Sequence, residues 1–206
     1  VTAPAVHQAA SLLLCYPGEG WERTRDLVAA ALAPLPGEAA AALRRFCAAA
    51  ARSSPLELGT RYVATFDRTR RRTLHMTYYI DGDTRRRGMS LARIKALYRA
   101  HGWRPEEAEL PDFLPLMLEF AARCPDPGTA LLHRHRAGLD LLGAALASYG
   151  SAYADVVLAV TETLGEPSAE QRRLAQAIAE EGPPAESVGP APFTMAHDPA
   201  AQGART

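Results

Sequence analysis

Apolar residues recurring three and four positions apart, in runs repeatedly closed by Pro or Gly, are what most constrains how this chain can fold. Val6, Ala9, Ala10, Leu13 and Leu14 mark one side of a helix over residues 5–15, and Tyr16-Pro17-Gly18 stops it. Residues 21–32 repeat the pattern with Trp21, Val28, Ala31 and Leu32 before Pro34-Leu35-Pro36-Gly37 ends it. An alanine-rich helix over 38–52 follows, burying Leu43, Phe46, Cys47 and Ala50. Ser53 or Ser54, with Pro55 and Glu57 behind it, carries the start signature of a fourth helix. Leu56, Gly59, Val63 and Phe66 are its expected inner stripe. Residues 74–80 alternate imperfectly and are read as irregular or helical, because no second strand is evident to pair with them.

The second half continues in the same way. A helix from Asp83 or Thr84 to about His101 carries Leu91, Ile94 and Tyr98, and Gly102 ends it. Asp112 is placed to cap a helix over 113–123, Asp126-Pro127-Gly128 reads as a turn, and 129–149 reads as one long helix. Further helices are expected over 153–164 and from a Ser168 cap to about residue 180. Ala and Leu favour helix and good β segments are scarce. The fold class is therefore all-α, a single-domain helical bundle over residues 1–181. Residues 182–206, rich in Pro, Gly and Ala, are expected to be a disordered tail.

Net charge is zero, but its distribution is uneven. Residues 61–104 carry eleven Arg and Lys95 against three Asp, a net of +9, and residues 105–206 carry six Arg against fifteen acids, a net of −9. The halves either neutralise each other within the fold or present opposite faces to partners. A neutral chain is a poor nucleic-acid binder, although an Arg-rich anion or nucleic-acid site on Arg68, Arg70, Arg71, Arg72 and Arg85 to Arg87 is an alternative. No apolar run is long enough to span a membrane. Three scattered Cys without a CxxC pair fit a reducing compartment, so a cytoplasmic location is expected.

Catalytic chemistry has little to stand on. His133 and His135 lie two apart on the expected helix and point in different directions, unlike chelating ligands. Asp81-Gly82-Asp83 begins like a calcium loop, but Arg85 and Arg86 occupy the positions where ligands and Gly belong. There is no phosphate-binding Gly-rich loop and no GxSxG nucleophile. No enzyme activity, metal or cofactor of its own is expected.

Residues 74–118 instead read as a binding surface. The tight acidic turn Asp81-Gly82-Asp83 runs into Arg85-Arg86-Arg87, which opposes the helix dipole in a first turn where acids are preferred. One helix later comes an acidic, proline-framed hinge: Glu106, Glu107, Glu109, Leu110, Pro111, Asp112, Phe113, Leu114 and Pro115. Glu109 and Asp112, with Glu106 and Glu107, could pair with cations of a basic peptide, while Leu110, Phe113, Leu114, Met117 and Tyr79 line an apolar groove and Pro111 and Pro115 fix its shape. Plainer roles stand beside these. Asp112 would serve equally as a helix N-cap, Glu106 and Glu107 as solvated surface, and Phe113, Leu114 and Met117 as core.

These residues resemble the NarJ family, within the TorD/DmsD group of redox-enzyme maturation chaperones. The resemblance runs through Tyr62-Val63-Ala64-Thr65-Phe66-Asp67, Leu74, Gly82-Asp83-Thr84-Arg85-Arg86-Arg87-Gly88-Met89, Leu97-Tyr98-Arg99-Ala100-His101-Gly102, and Glu109 to Pro115 with Leu118-Glu119. Tyr78-Tyr79 and Phe113 depart from it, standing where relatives often carry an acid with His, and His, respectively. The resemblance implies a TorD-like all-α fold and a cytoplasmic chaperone of the respiratory nitrate reductase catalytic (alpha) subunit. Such a chaperone binds that subunit's N-terminal peptide and assists molybdenum cofactor insertion before membrane attachment, with cofactor-delivery proteins as further partners. Another molybdoenzyme is the alternative client. Tyr62, Phe66, Asp83 and Arg87 join the expected peptide-binding set on the same resemblance.

Overall fold

The computed structural model describes residues 2–105 and 109–184. Among them the chain forms eleven α-helices and one 3₁₀ turn. The order is α1 (Ala3–Leu14), α2 (Trp21–Leu32), α3 (Glu38–Ala50), α4 (Pro55–Phe66), the 3₁₀ turn (Arg70–Arg72), α5 (Met76–Asp81) and α6 (Arg85–Ala100). It continues with α7 (Leu114–Arg123), α8 (Pro125–Arg134), α9 (Arg136–Ser148), α10 (Tyr153–Thr163) and α11 (Ala169–Glu181). The all-α class is as expected.

α1 lies along α7 and against α10, so its apolar side is covered from two directions. Two buried polar contacts fix its position. The Ser11 hydroxyl donates to the Pro115 carbonyl at 2.8 Å, and His7 Nε2 lies 2.8 Å from Thr163 Oγ1. The Thr163 hydroxyl already donates to the Val160 carbonyl at 2.7 Å, so His7 is the donor in that pair. Buried Ala40, Ala42 and Ala50 let α3 approach α10 closely. Around them Phe46, Tyr62, Phe66 and Tyr153 form an aromatic cluster, with Phe66 and Tyr153 at 4.9 Å between centroids.

Start signals read from sequence act as caps. Ser54 and Glu57 form a reciprocal capping box on α4, Ser168 and Gln171 another on α11, and Gly102 with φ 71° ends α6. Four expectations need correction. The α4 stripe is rotated: Leu58, Gly59, Tyr62, Thr65 and Phe66 face inward, while Leu56 is 81% exposed and Val63 38% exposed. The Tyr16 ring packs on Gly59 and edge-on against Tyr62, and this fixes which side of α4 faces in. The single long helix is two, broken at His135, whose backbone (φ −102°, ψ 13°) leaves helical geometry.

Asp126-Pro127-Gly128 is the first turn of α8 rather than a separate turn. Pro is tolerated there because first-turn N–H groups have no intrahelical partner. Gly128 is needed for packing: a Cβ would lie 2.2 Å from the Ala121 Cα, where α8 crosses α7. Leu74 and His75 are extended, α5 follows, and a partner for the extended piece does exist in a single antiparallel bridge from His75 to Phe113. Expectations for Glu106, Glu107 and the tail from residue 185 onward lie outside the described residues.

Gly128→Val should lower stability by about 2 kcal/mol through overpacking against α7, read from urea denaturation. A second outcome concerns His7, which burial holds down to about 4, with a backbone hydrogen bond to Ala121 opposing. The unfolded chain takes up that proton first, so folding stability falls as pH drops from about 6.5 toward 4, by about 3 kcal/mol. His7→Gln should flatten that part of the stability–pH curve.

Candidate peptide-binding site

The hinge is fixed carbonyl by carbonyl. The Phe113 N–H donates to the Leu110 carbonyl at 3.0 Å, the Tyr98 hydroxyl to Pro111 at 2.7 Å, the Met76 N–H to Asp112 at 3.0 Å and the Ser11 hydroxyl to Pro115 at 2.8 Å. The Leu114 N–H donates to the Leu74 carbonyl at 2.8 Å. Pro111 in the non-helical segment and Pro115 in the first turn of α7 contribute no N–H, so they limit the number of donors the hinge must satisfy. The hinge is thereby tied to α1, α6 and the extended piece before α5.

Asp112 does not cap its own helix, whose N-cap position is Phe113. Its side chain is fully buried and faces α5 instead. The carboxylate accepts from the Thr77 N–H at 3.2 Å, from the Thr77 hydroxyl and from His75 Nδ1 at 3.1 Å, with the Arg87 guanidinium 3.6 Å away. Together with its carbonyl it satisfies the first two N–H groups of α5 from thirty-five residues away. Burial pushes the Asp112 carboxyl up, but hydrogen bonds from His75 and Thr77, with the His75 ring and Arg87 charge, outweigh it and hold the group below its ordinary value.

The arginine-led start of α6 is answered by the same network. Arg87 donates from Nε to Thr77 Oγ1 at 3.2 Å and lies 3.7 Å from Asp83, which also pairs with Arg70. Arg72 donates to the Thr65 carbonyl at 2.8 Å at the end of α4, and stacks 3.8 Å over the Tyr149 ring. Arg70, Arg72 and Arg87 thus hold the fold together rather than forming a free basic patch.

Tyr62, Phe66, Tyr79, Leu114 and Met117 are buried, as is Pro115. The Tyr62 hydroxyl donates to the Leu14 carbonyl at 3.0 Å. The Tyr79 hydroxyl lies 3.1 Å from both the Arg71 and Thr73 carbonyls, and its ring lies against Gly138 of α9. None of these side chains lines a groove at the hinge; Tyr79 instead walls a separate cavity at the end of α11, and the others lie beneath the hinge surface. Phe113 is half-buried beside His75, Pro111 is half-buried, and Glu109 and Leu110 are exposed.

What the hinge presents outward is Glu109 and Leu110, with two features the sequence pattern did not single out. The Ser11–Pro115 hydrogen bond and the packing of α1 on α7 set the end of α1 near the hinge, where burial first, then the Glu119 and Glu109 carboxylates, lift the Cys15 thiol. Beside it Tyr16 is 57% exposed, and Leu110 is 43% exposed. A cavity of about 460 Å³ opens at the hinge between Tyr98, Trp103, Arg99, Glu109, Leu110 and Pro111. The residues Tyr16-Pro17-Gly18 read only as a helix stop; an aromatic side chain left beside a stop is a weak signal for exposed surface. Among the described residues no group of three or more His, Cys, Asp or Glu could hold a metal ion.

The sequence model of a family described as nitrate reductase delta subunit matches residues 30–159. The chain is 41% identical over 159 residues to the nitrate reductase-like protein NarX of Mycobacterium tuberculosis, which covers 77% of this chain and 24% of that protein. It therefore spans about a quarter of that relative's length. Identity is 34% over 162 residues to the Bacillus subtilis NarJ, by description a nitrate reductase molybdenum cofactor assembly chaperone, covering 76% of this chain and 88% of that one. With Escherichia coli (strain K12) NarJ, of the same description, it is 33% over 175 residues, covering 83% and 74%. A crystal structure from Archaeoglobus fulgidus, described as a redox enzyme maturation protein, shares the fold at TM-score 0.60 and 20% identity, covering 81% of this chain and 96% of that one.

Asp112→Ala should cost about 3 kcal/mol, because it leaves Arg87 and the α5 N-terminus without their buried partner. The Asp112 contribution is complete above the ordinary carboxyl range and is lost as pH falls through its depressed folded value. Asp112→Asn should therefore remove the loss of stability below about pH 4, measured by thermal unfolding across pH.

Proposed function

The chain belongs to the nitrate reductase delta subunit family, and from that premise we propose that it is an assembly chaperone, not an enzyme, for a nitrate reductase. In this reading it works in the cytoplasm and binds the basic, amphipathic N-terminal peptide of the catalytic alpha subunit. It holds that subunit while partner proteins deliver the molybdenum cofactor, before the subunit attaches to the membrane. The cofactor is the client's.

The observation that carries the reading is the junction of the hinge with the end of α1. Glu109 supplies exposed negative charge there, Glu119 nearby being paired with Arg123 at 2.8 Å, and exposed Tyr16 and Leu110 supply apolar area. A basic amphipathic segment needs both. The open cavity between Trp103 and Leu110 can take an apolar side chain. Beneath, the buried Asp112 network and the hydrogen bonds from Tyr98 and Ser11 hold the hinge in place, so little of the binding free energy goes into ordering the chaperone.

Titration of the full chain with a synthetic N-terminal peptide of the cognate alpha subunit tests the placement. Glu109→Lys should weaken binding about tenfold or more and reduce its salt dependence, while Leu110→Ser should weaken it without changing the salt slope. Unchanged affinity in a folded Glu109→Lys chain would sink the placement. A pull-down from nitrate-respiring cells tests the client: recovery of a different immature molybdoenzyme, without the nitrate reductase subunit, would reassign it.

A further inference from the structure

We propose that the surface beneath α11 is a docking site for an acidic amphipathic helix, and that the chain's own α11 occupies it as an exchangeable strap. The helix is held lightly. It has no fully buried residue, and its half-buried positions, Gln171, Ala175 and Ile178, form a stripe one side chain wide. Beyond packing on α9, its N-terminal end is tied by one hydrogen bond, from Gln171 Nε2 to the His133 carbonyl at 2.9 Å. α11 also lies beyond residues 30–159, the segment matched by the family model. Such a helix lies at the low-stability end of a fold, where local opening is expected.

What α11 covers has the character of a binding groove. A cavity of about 360 Å³ remains between its end and the body of the protein, walled by Tyr78, Tyr79, Leu141 and Ala145, with exposed Arg71 at the rim. Ile178 enters from the strap side, followed by Glu180 and Glu181 on the same lining. Two acids at a helix C-terminus are unfavourable to the macrodipole, so their placement at a cavity rimmed by Arg71 marks the charge this surface accepts. Past the helix, the Pro184 carbonyl rests on Gly82. A Cβ at Gly82 would lie 1.6 Å from that oxygen, and the residue also adopts φ 59°. Glycine at this turn therefore does two jobs: it takes the left-handed backbone and leaves room for the strap. The site differs in place and charge preference from the hinge junction, which accepts a basic segment.

A tethered helix competes at an effective concentration of about millimolar, so the groove is hidden from free ligands until α11 lets go. The test uses the full chain and a fluorescein-labelled synthetic peptide of residues 168–184. Ile178→Asp should release α11, seen as rapid amide exchange over 169–181 while α9 and α10 stay protected. The labelled peptide should then bind this variant at least about tenfold more tightly than wild type, and Arg71→Glu on top of it should abolish the gain. In wild type α11 should exchange faster than α9. Exchange as slow as α9, an Ile178→Asp chain that no longer folds, or a released α11 without peptide binding would each overturn the proposal.

Discussion

Asp112 joins three segments that are distant in sequence. Its carboxylate and carbonyl supply acceptors for the first turn of α5, its neighbours pair with Leu74 and His75, and its charge lies against Arg87 of α6. A carboxylate with no solvent exposure is costly unless its oxygens are filled, and here hydrogen bonds from Thr77 and His75, with the Arg87 charge nearby, fill them. Without this residue α5 would have an uncapped buried start, and Arg87 would be left with only Thr77 and Asp83 as partners among the described residues. The position of the hinge, and with it the outward direction of Glu109 and Leu110, follows from this one buried group.

The same arrangement explains why an unfavourable helix start persists. Three arginines open α6 against its dipole, but Arg87 turns inward to Thr77 and Asp112 and has Asp83 beside it. A local conflict is thus resolved by a tertiary contact. The opposite net charges of residues 61–104 and 105–206 meet within the fold at Arg87 and Asp112, and residues of the first third join in through Arg45 with Asp155. Part of the asymmetry is therefore internal wiring. Glu119 is likewise paired internally, with Arg123, and the acid that remains outward at the hinge junction, Glu109, is distinguished by position rather than by number.

Helix existence was legible wherever a local signal sufficed: Ser54 with Glu57, Ser168 with Gln171, and Gly102 all act within a few residues of the ends they set. Orientation was harder to read. The inner side of α4 meets Tyr16, in the connection between α1 and α2, at Gly59 and Tyr62, a tertiary contact that no single-helix periodicity contains. The break at His135 lies inside a run that is periodic on both sides, so the pattern carried no mark of it. Asp112 had the composition of a local cap and serves as a distant one, because the acceptor geometry depends on which N–H groups the fold brings near. Of the candidate site, the Glu109 to Pro115 stretch was visible as a unit, but its inward and outward members could be sorted only once the partners of each carbonyl were known.

Under the chaperone function proposed above, that sorting bears on how the chain would recognise a segment without unfolding itself. The Pro111 and Asp112 carbonyls are hydrogen-bonded to α6 and α5, and the Leu110 carbonyl to Phe113 N–H within the hinge, so these three acceptors are already filled and do not offer an edge for strand addition. The proposed recognition therefore runs through side chains: charge from Glu109, and apolar contact from Tyr16 and Leu110. Side-chain recognition of this kind tolerates variation in the bound sequence provided that cations and apolar groups keep a helical spacing, since no backbone register is imposed. Exposed charges also act over a Debye length and speed encounter, whereas the small apolar area limits residence. A surface so composed is suited to capturing a segment early and releasing it when the client has folded.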